Sequence, residues 1–158
     1  MLNKIQEDIK AAMRNKEKVR VQTLRSIIND LKNAGIEKKG AEKLVQEVSS
    51  PAEYLSEQEI VKVIHSAAKR RRESIEQYQS GGRMDLASQE EAELSILSEF
   101  LPQPLTPEEL KVLVEECILE AKAEQVSDMG KVMKIAQAKA DGRVDGKVLS
   151  VEVREQLS

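Results

Sequence analysis

The stretch DGRVDGKVLSVE, from Asp141 to Glu152, holds residue types found in calcium-binding and phosphate-binding loops. Asp141, Asp145, Gly146 and Glu152 fall at positions 1, 5, 6 and 12 of the EF-hand pattern. Position 3, however, is Arg143, a permanent cation where calcium needs an oxygen ligand. A Walker A loop would need four residues between its glycines and a Ser or Thr after its lysine, and both are lacking here. We therefore predict no metal site and no bound cofactor.

Residues for nucleophilic or acid–base catalysis are equally sparse. The chain has one histidine, His65, and one cysteine, Cys117, which lies on an apolar stripe typical of a helix core. The carboxylates around Glu90 to Glu99 are typical of a solvated helix face. We predict no catalytic residue, and whether the protein is an enzyme stays open, with a non-enzymatic role favoured.

Basic residues remain as the candidate functional group. Lys69 to Arg72 form the run KRRR, which spans most of a helical turn and cannot all face one way. We predict that cations from two regions contact a phosphate backbone, an interaction that is electrostatic and salt-dependent. The alternative is that these charges only solvate helix faces. The predicted RNA-binding residues are Lys69, Arg72 and Arg83 in the first region, and Lys131, Lys134, Arg143 and Lys147 in the second.

Hydrophobic periodicity predicts helices throughout and no strand. In the first part we expect helices over 2–15, over 17–34 with Gly35 as a stop, and over 56–79, followed by a helix that Asp85 caps and Pro102 ends. In the second part we expect a helix over 106–123, a helix that starts at Ser127 or Asp128, and a last helix from Asp145 to the end. Residues 36–58 are undecided, with at most a short helix over 41–48, because Gly40 and Ser49-Ser50-Pro51 interrupt any longer one.

The predicted fold class is all-α, in two parts: an N-terminal helical bundle over 1–103 and a small three-helix bundle over 104–158. Only Tyr54, Tyr78 and Phe100 are aromatic, which argues against modules that stack bases on a sheet. The net charge of −3 is unevenly spread: residues 1–40 carry 10 Lys/Arg and 5 Asp/Glu, whereas residues 84–124 carry 2 and 11. With no leader and no apolar run of membrane-spanning length, we expect a cytoplasmic protein without a membrane partner.

Three motifs in order carry a family resemblance: RRESIEQYQSGGRMDLA, DMGKVM and the stretch ADGRVDGK. With them the sequence resembles the GatB/YqeY family, most closely the stand-alone YqeY proteins, over most of the chain outside 36–58. The resemblance implies an all-helical, two-part fold related to the tail of the B subunit of glutamine-dependent aminoacyl-tRNA amidotransferases. That tail holds tRNA, while the chemistry takes place in other domains.

The residues shared with the tail are mainly packing and turn positions. They are Gly130, Val132, Met133, Gly142 to Asp145, Val153 and Leu157; Val144 stands where the family usually has a smaller residue. The resemblance thus implies that Asp141 to Glu152 form a tight turn and the start of the last helix, with Arg143 and Lys147 free to meet a phosphate.

Three functions follow from these observations. The first is a non-catalytic protein that binds tRNA or another structured RNA by shape and charge. The second is a protein-interaction module that uses the acidic region 85–124 or residues 36–58, with a partner in tRNA amidation or translation. The third rests on kinship alone: a carbon–nitrogen ligase activity with glutamine as amido-N-donor, or an accessory role to such an enzyme.

Overall fold

The computed structural model describes residues 1–158, and it is all-α as predicted. Seven α-helices and two short 3-10 helices follow one another without a strand. Contacts divide the chain into an N-terminal unit, Met1–Leu101, and a C-terminal unit, Pro102–Ser158. The helices of the N-terminal unit are α1 (Leu2–Arg14), α2 (Lys18–Glu42), α3 (Glu57–Ser80) and α4 (Met84–Ser98), with a 3-10 helix at Pro51–Tyr54. Those of the C-terminal unit are α5 (Pro107–Ala121), α6 (Met129–Ala140) and α7 (Gly146–Leu157), with a 3-10 helix at Val126–Asp128.

α2 is longer than predicted, and the expectation that Gly35 ends it is wrong. The helix runs through Gly35 and Gly40 and ends where Lys43 takes a left-handed conformation, with φ 51°. Gly35 is buried, and a Cβ on it would lie 1.9 Å from the Pro51 carbonyl oxygen. The glycine is therefore needed for a close approach of two segments and not for a helix stop.

The predicted short helix over 41–48 is absent as well. Residues 44–50 follow the end of α2 without helical structure, and the chain then turns through the 3-10 helix at Pro51–Tyr54. The Tyr54 hydroxyl donates a hydrogen bond to the Gln46 carbonyl at 2.6 Å. This contact fastens the connecting segment to the 3-10 helix.

Capping boxes begin α3 and α5, at the helix starts predicted near residues 56 and 106. The Ser56 hydroxyl accepts from the Glu59 backbone N–H, while the Glu59 carboxylate accepts from the Ser56 N–H, and α3 begins there. Thr106 and Glu109 repeat the arrangement at α5, with Pro107 at the first helical position. Each box satisfies backbone donors that would otherwise lack partners at a helix start.

Asp85 does not cap α4. The helix begins at Met84 with Arg83 in the capping position, and the Asp85 carboxylate accepts two hydrogen bonds from the Arg83 guanidinium at 3.1 and 3.0 Å. The ion pair occupies the carboxylate that was expected to cap the helix. Asp128, by contrast, precedes α6 as predicted, although its carboxylate accepts from the Glu124 N–H and from no backbone N–H of α6.

Each unit has its own hydrophobic core. The core of the N-terminal unit takes residues from α1 to α4 and the turn after α4, including Ile5, Leu24, Ile27, Ile64, Leu97 and Phe100. The core of the C-terminal unit takes residues from α5, α6 and α7, namely Leu110, Val114, Cys117, Val132, Ala136, Leu149 and Val153. Cys117 is buried there, as expected for a packing residue, and burial raises the pKa of its thiol.

Candidate nucleic-acid interface

The turn between α6 and α7 has the structure predicted for the stretch from Asp141 to Glu152. Asp141 and Gly142 adopt left-handed conformations, with φ 44° and 78°, and so end α6. Asp145 then caps α7, because its carboxylate accepts from the Lys147 N–H at 2.8 Å. The predicted turn and helix cap are confirmed, and they fix where Arg143 and Lys147 lie.

Arg143 is held by the protein itself and is not free in the way that was expected. Its Nε donates to the Gln103 carbonyl at 2.9 Å, and a terminal nitrogen lies 3.6 Å from the Glu109 carboxylate. The Arg143 carbonyl in turn accepts from the Leu105 N–H at 2.9 Å. These contacts bind the turn to the segment before α5, and a phosphate would compete with the Glu109 carboxylate for the guanidinium.

Lys134 lies on α6 and Lys147 lies in the first turn of α7. A Cβ on Gly146 would lie 4.0 Å from Nε2 of Gln137, so the first turn of α7 lies beside the exposed side of α6. Lys134 is one turn before Gln137, and Lys147 directly follows Gly146. Both lysines are exposed and neither forms an ion pair.

Lys131 shares the outer face of α6, where residues three apart are neighbours. Its ammonium group lies 3.4 Å from the Asp128 carboxylate, and the lysine side chain is 71% exposed. Such an exposed pair stabilises a protein by about 0–1 kcal/mol. An anion can therefore compete with Asp128 for this lysine.

The basic run on α3 divides between internal ion pairs and solvent. Arg70 pairs with Asp30 at 2.7 Å, and Arg71 pairs with Glu93 at 2.9 Å and also donates to the Ala67 carbonyl. Lys69 and Arg72 are exposed and form no ion pair. The prediction that the four cations cannot face one way agrees with this division.

Arg83 lies apart from those two cations. It follows the Gly81-Gly82 turn, and Gly81 is nine positions after Arg72, which is roughly 13 Å along a helix axis. Its guanidinium already pairs with Asp85 and holds the pKa of that carboxyl below its ordinary value. Lys69 and Arg72 thus lie on α3 and Arg83 lies beyond its end in an ion pair; their joint contact with a phosphate backbone stays a prediction.

An exposed apolar surface on α5 was missed in the sequence. Val112 and Leu119 are 54% and 77% exposed. Each lies about one helical turn from the exposed acidic residue Glu116, Val112 before it and Leu119 after it. Val112 also lines a shallow groove of about 410 Å³, together with Leu105, Glu108, Glu109, Leu113, Glu116 and Arg143. The sequence does indicate this surface, because Val112 and Leu119 fall outside the stripe of core residues formed by Leu110, Val114 and Cys117.

No group of three or more His, Cys, Asp or Glu side chains is arranged to hold a metal ion. No helix is long and apolar enough to cross a membrane.

Comparison with known proteins places this fold and turn in a family. A family model described as "Yqey-like protein" matches residues 2–157. The chain belongs to the Yqey-like protein family. The Yqey-like family is related to the tail of GatB, the B subunit of tRNA amidotransferases.

One curated relative of this Yqey-like chain is "Altered inheritance of mitochondria protein 41, mitochondrial" from Lachancea thermotolerans. It is 25% identical over 159 residues, which cover 97% of this chain and 79% of that protein. The similarity thus extends over both units.

Proposed function

We propose that this Yqey-like chain is a non-catalytic RNA-binding protein, with tRNA as the favoured ligand. The observation that carries the proposal is that Lys134 and Lys147 are exposed and unpaired, on two helices that approach each other at Gln137 and Gly146. The family's relation to the GatB tail supports tRNA over other structured RNAs. A cytoplasmic location belongs to the proposal, whereas the name of the relative places that protein in mitochondria.

The chemistry of this surface suits a phosphate backbone. Lysine ammonium groups neutralise phosphates and release counterions. The scarcity of aromatic residues fits recognition by shape and charge and not by base stacking. Lys131 extends the surface along α6, and Lys69 and Arg72 add cations on the N-terminal unit.

Arg143 and Arg83 have secondary places in this proposal. Arg143 orients the turn through Gln103 and so positions Lys147, while Arg83 is already neutralised by Asp85. In this proposal other proteins carry out the chemistry of tRNA amidation. This chain is an accessory that holds RNA for a glutamine-dependent ligase.

The proposal is tested by measuring the affinity of the purified chain for bulk tRNA at salt concentrations from about 50 to 200 mM. If the chain contacts phosphates, the logarithm of the affinity falls linearly with the logarithm of the salt concentration. Lys134→Gln with Lys147→Gln should weaken binding and reduce the slope by about 1.5, because each lost phosphate contact contributes about 0.7–0.9.

A matched control is Lys111→Gln with Lys122→Gln, which makes the same charge change at exposed, unpaired lysines elsewhere in the C-terminal unit. It should leave affinity and slope near the wild-type values. Absence of binding by the wild-type chain at the lowest salt would contradict the proposal.

A second candidate function is protein interaction through α5. Val112 and Leu119 form an exposed apolar pair surrounded by Glu108, Glu115 and Glu116. Acidic residues around an apolar stripe favour a partner helix with apolar anchors and basic flanks. This function takes precedence if the tRNA measurement fails.

A further inference from the structure

The outer face of α2 carries cations at a regular spacing. Lys18, Arg25 and Lys32 are seven residues apart, close to two helical turns, so they lie along one side of the helix. All three are exposed, whereas the core of the N-terminal unit receives Leu24, Ile27 and Leu31 from another side of the helix. We call Lys18, Arg25 and Lys32 the α2 stripe; it spans about 21 Å at 1.5 Å per residue.

No carboxylate interrupts the α2 stripe. Asp30 is the only acidic residue between Lys18 and Ile36, and it is on another side of the helix, paired with Arg70 at 2.7 Å. Amide side chains lie between the cations instead: Gln22 after Lys18 and Asn29 after Arg25, both exposed. The face therefore presents positive charge together with neutral hydrogen-bond donors.

Further cations stand at the start of the stripe. Arg14 ends α1 and Lys16 lies in the turn to α2; both are exposed and neither forms an ion pair. Glu17 is the one carboxylate in that turn. The nearby Asp8 and Glu99 are already neutralised, because Arg20 binds both at 2.6 Å.

The middle cation has only a weak contact within the protein. A terminal nitrogen of Arg25 lies 3.5 Å from the Met13 sulfur at the end of α1. Thioether sulfur is a weak acceptor, so this contact orients the guanidinium without neutralising it. The charge of Arg25 remains available to an anion.

From these observations we infer that the α2 stripe is a second contact surface for the phosphate backbone of structured RNA; this rests on the proposed function. Side-chain amides donate to phosphate and sugar oxygens, so Gln22 and Asn29 fit RNA between the cations. A helix bound to a membrane surface would instead bury an apolar face in the lipid. The apolar face of α2 is already buried in the core, through Leu24, Ile27 and Leu31.

The test compares tRNA binding by three variants of the full chain across the same salt series. Lys18→Gln, Arg25→Gln and Lys32→Gln together should lower the salt slope by about 2–3, since three phosphate contacts are lost. The matched control combines Lys43→Gln, Lys62→Gln and Lys111→Gln, three exposed lysines without ion pairs. A charge-conserving variant, Lys18→Arg with Lys32→Arg, should keep the wild-type slope. Far-UV circular dichroism of each variant reports helix content.

The outcomes separate the two proposals. A slope reduced in the stripe variant, with both controls and its helix content unchanged, supports the inference. If the wild-type chain binds tRNA and the stripe variant behaves like the matched control, the inference is overturned while the proposed function stands. If the wild-type chain does not bind at all, both are overturned.

Discussion

Two glycines of α2 occupy different surroundings although both lie inside the same helix. Gly35 faces the Pro51 carbonyl, whereas a Cβ on Gly40 would have no atom within 4 Å. A helix interior normally disfavours glycine, because the unfolded chain gains entropy from it. Only a tertiary contact explains why Gly35 is needed, and no such contact exists at Gly40.

The first prediction uses these two positions as a matched pair. Gly35→Ala should lower the free energy of unfolding by roughly 1–3 kcal/mol, because overpacking must displace the Pro51 backbone. Gly40→Ala should raise it by roughly 0.5–1 kcal/mol through the lower entropy of the unfolded chain. Urea unfolding followed by circular dichroism measures both. Equal effects of the same sign would show that the close approach to Pro51 has no energetic weight.

Single residues also mark the limit of prediction from sequence at this scale. The caps at Ser56, Thr106 and Asp145 were recognisable because each partner lies within three residues. The roles of Gly35 and Arg143 were not, because Pro51 and Gln103 are distant along the chain. Residue type and local spacing carry no information about such contacts.

At the scale of elements, the start of α3 is joined to α2 by one carboxylate. Glu59 closes the capping box and also accepts from the Lys38 ammonium group at 2.7 Å. The hydrogen bond from Lys38 and that from the Ser56 backbone lower the pKa of Glu59 from 4.5 to about 2. Lys38 has a raised pKa for the same reason.

The second prediction concerns the acid stability of this junction. Since the pKa of Glu59 is lower in the folded chain, its contribution to stability is complete above the pKa of the unfolded chain, 4.5, and is lost as the pH falls towards about 2. Glu59→Gln removes this titration and keeps a capping side chain. Its free energy of unfolding should thus fall less steeply than that of the wild-type chain between those pH values, in urea titrations at each pH.

Glu73→Gln supplies the control, because Glu73 is an exposed glutamate of the same helix without an ion pair. It should follow the wild-type pH profile. A Glu59→Gln profile parallel to the wild type would mean that the Lys38 contact does not persist in solution.

The helices themselves were largely predictable from periodicity, while the segment between α2 and α3 was not. Apolar spacing reports which face is buried, and that is enough for α1, α3, α5 and α7. Residues 44–50 take their place from tertiary contacts, such as the Tyr54 hydroxyl with the Gln46 carbonyl. For the candidate site, the sequence identified the cationic residues but not the groups with which they form ion pairs and hydrogen bonds. The contacts of Arg143 and Arg83 within the protein were therefore not predicted.

At the scale of the whole molecule, each unit contains a core drawn from its own helices. The C-terminal unit joins α5, α6 and α7 around Val114, Val132 and Leu149. A domain near 60 residues buries only about 60% of the surface its unfolded chain exposes, so it is close to the lower limit of independent stability.

The third prediction is that residues 102–158 fold alone. The isolated segment should be helical and melt cooperatively, at a lower temperature than the full chain. Leu149→Ala should abolish the transition, because Leu/Ile/Met→Ala in a core costs about 2–5 kcal/mol, which is much of such a unit's stability. Circular dichroism against temperature checks both. A gradual loss of signal without a transition would make the segment dependent on the rest of the chain.

The first and last helices of the N-terminal unit contribute to one core, which has a consequence for synthesis. Arg20 joins Asp8 to Glu99, and Ile5 shares a core with Leu97 and Phe100. Translation at about 5–20 residues per second takes roughly 5–20 s to reach that last helix. α2 follows α1 directly and can pack on it during this interval, but Leu97 and Phe100 are still missing. The core of the N-terminal unit is therefore completed only after the end of α4 has been synthesised.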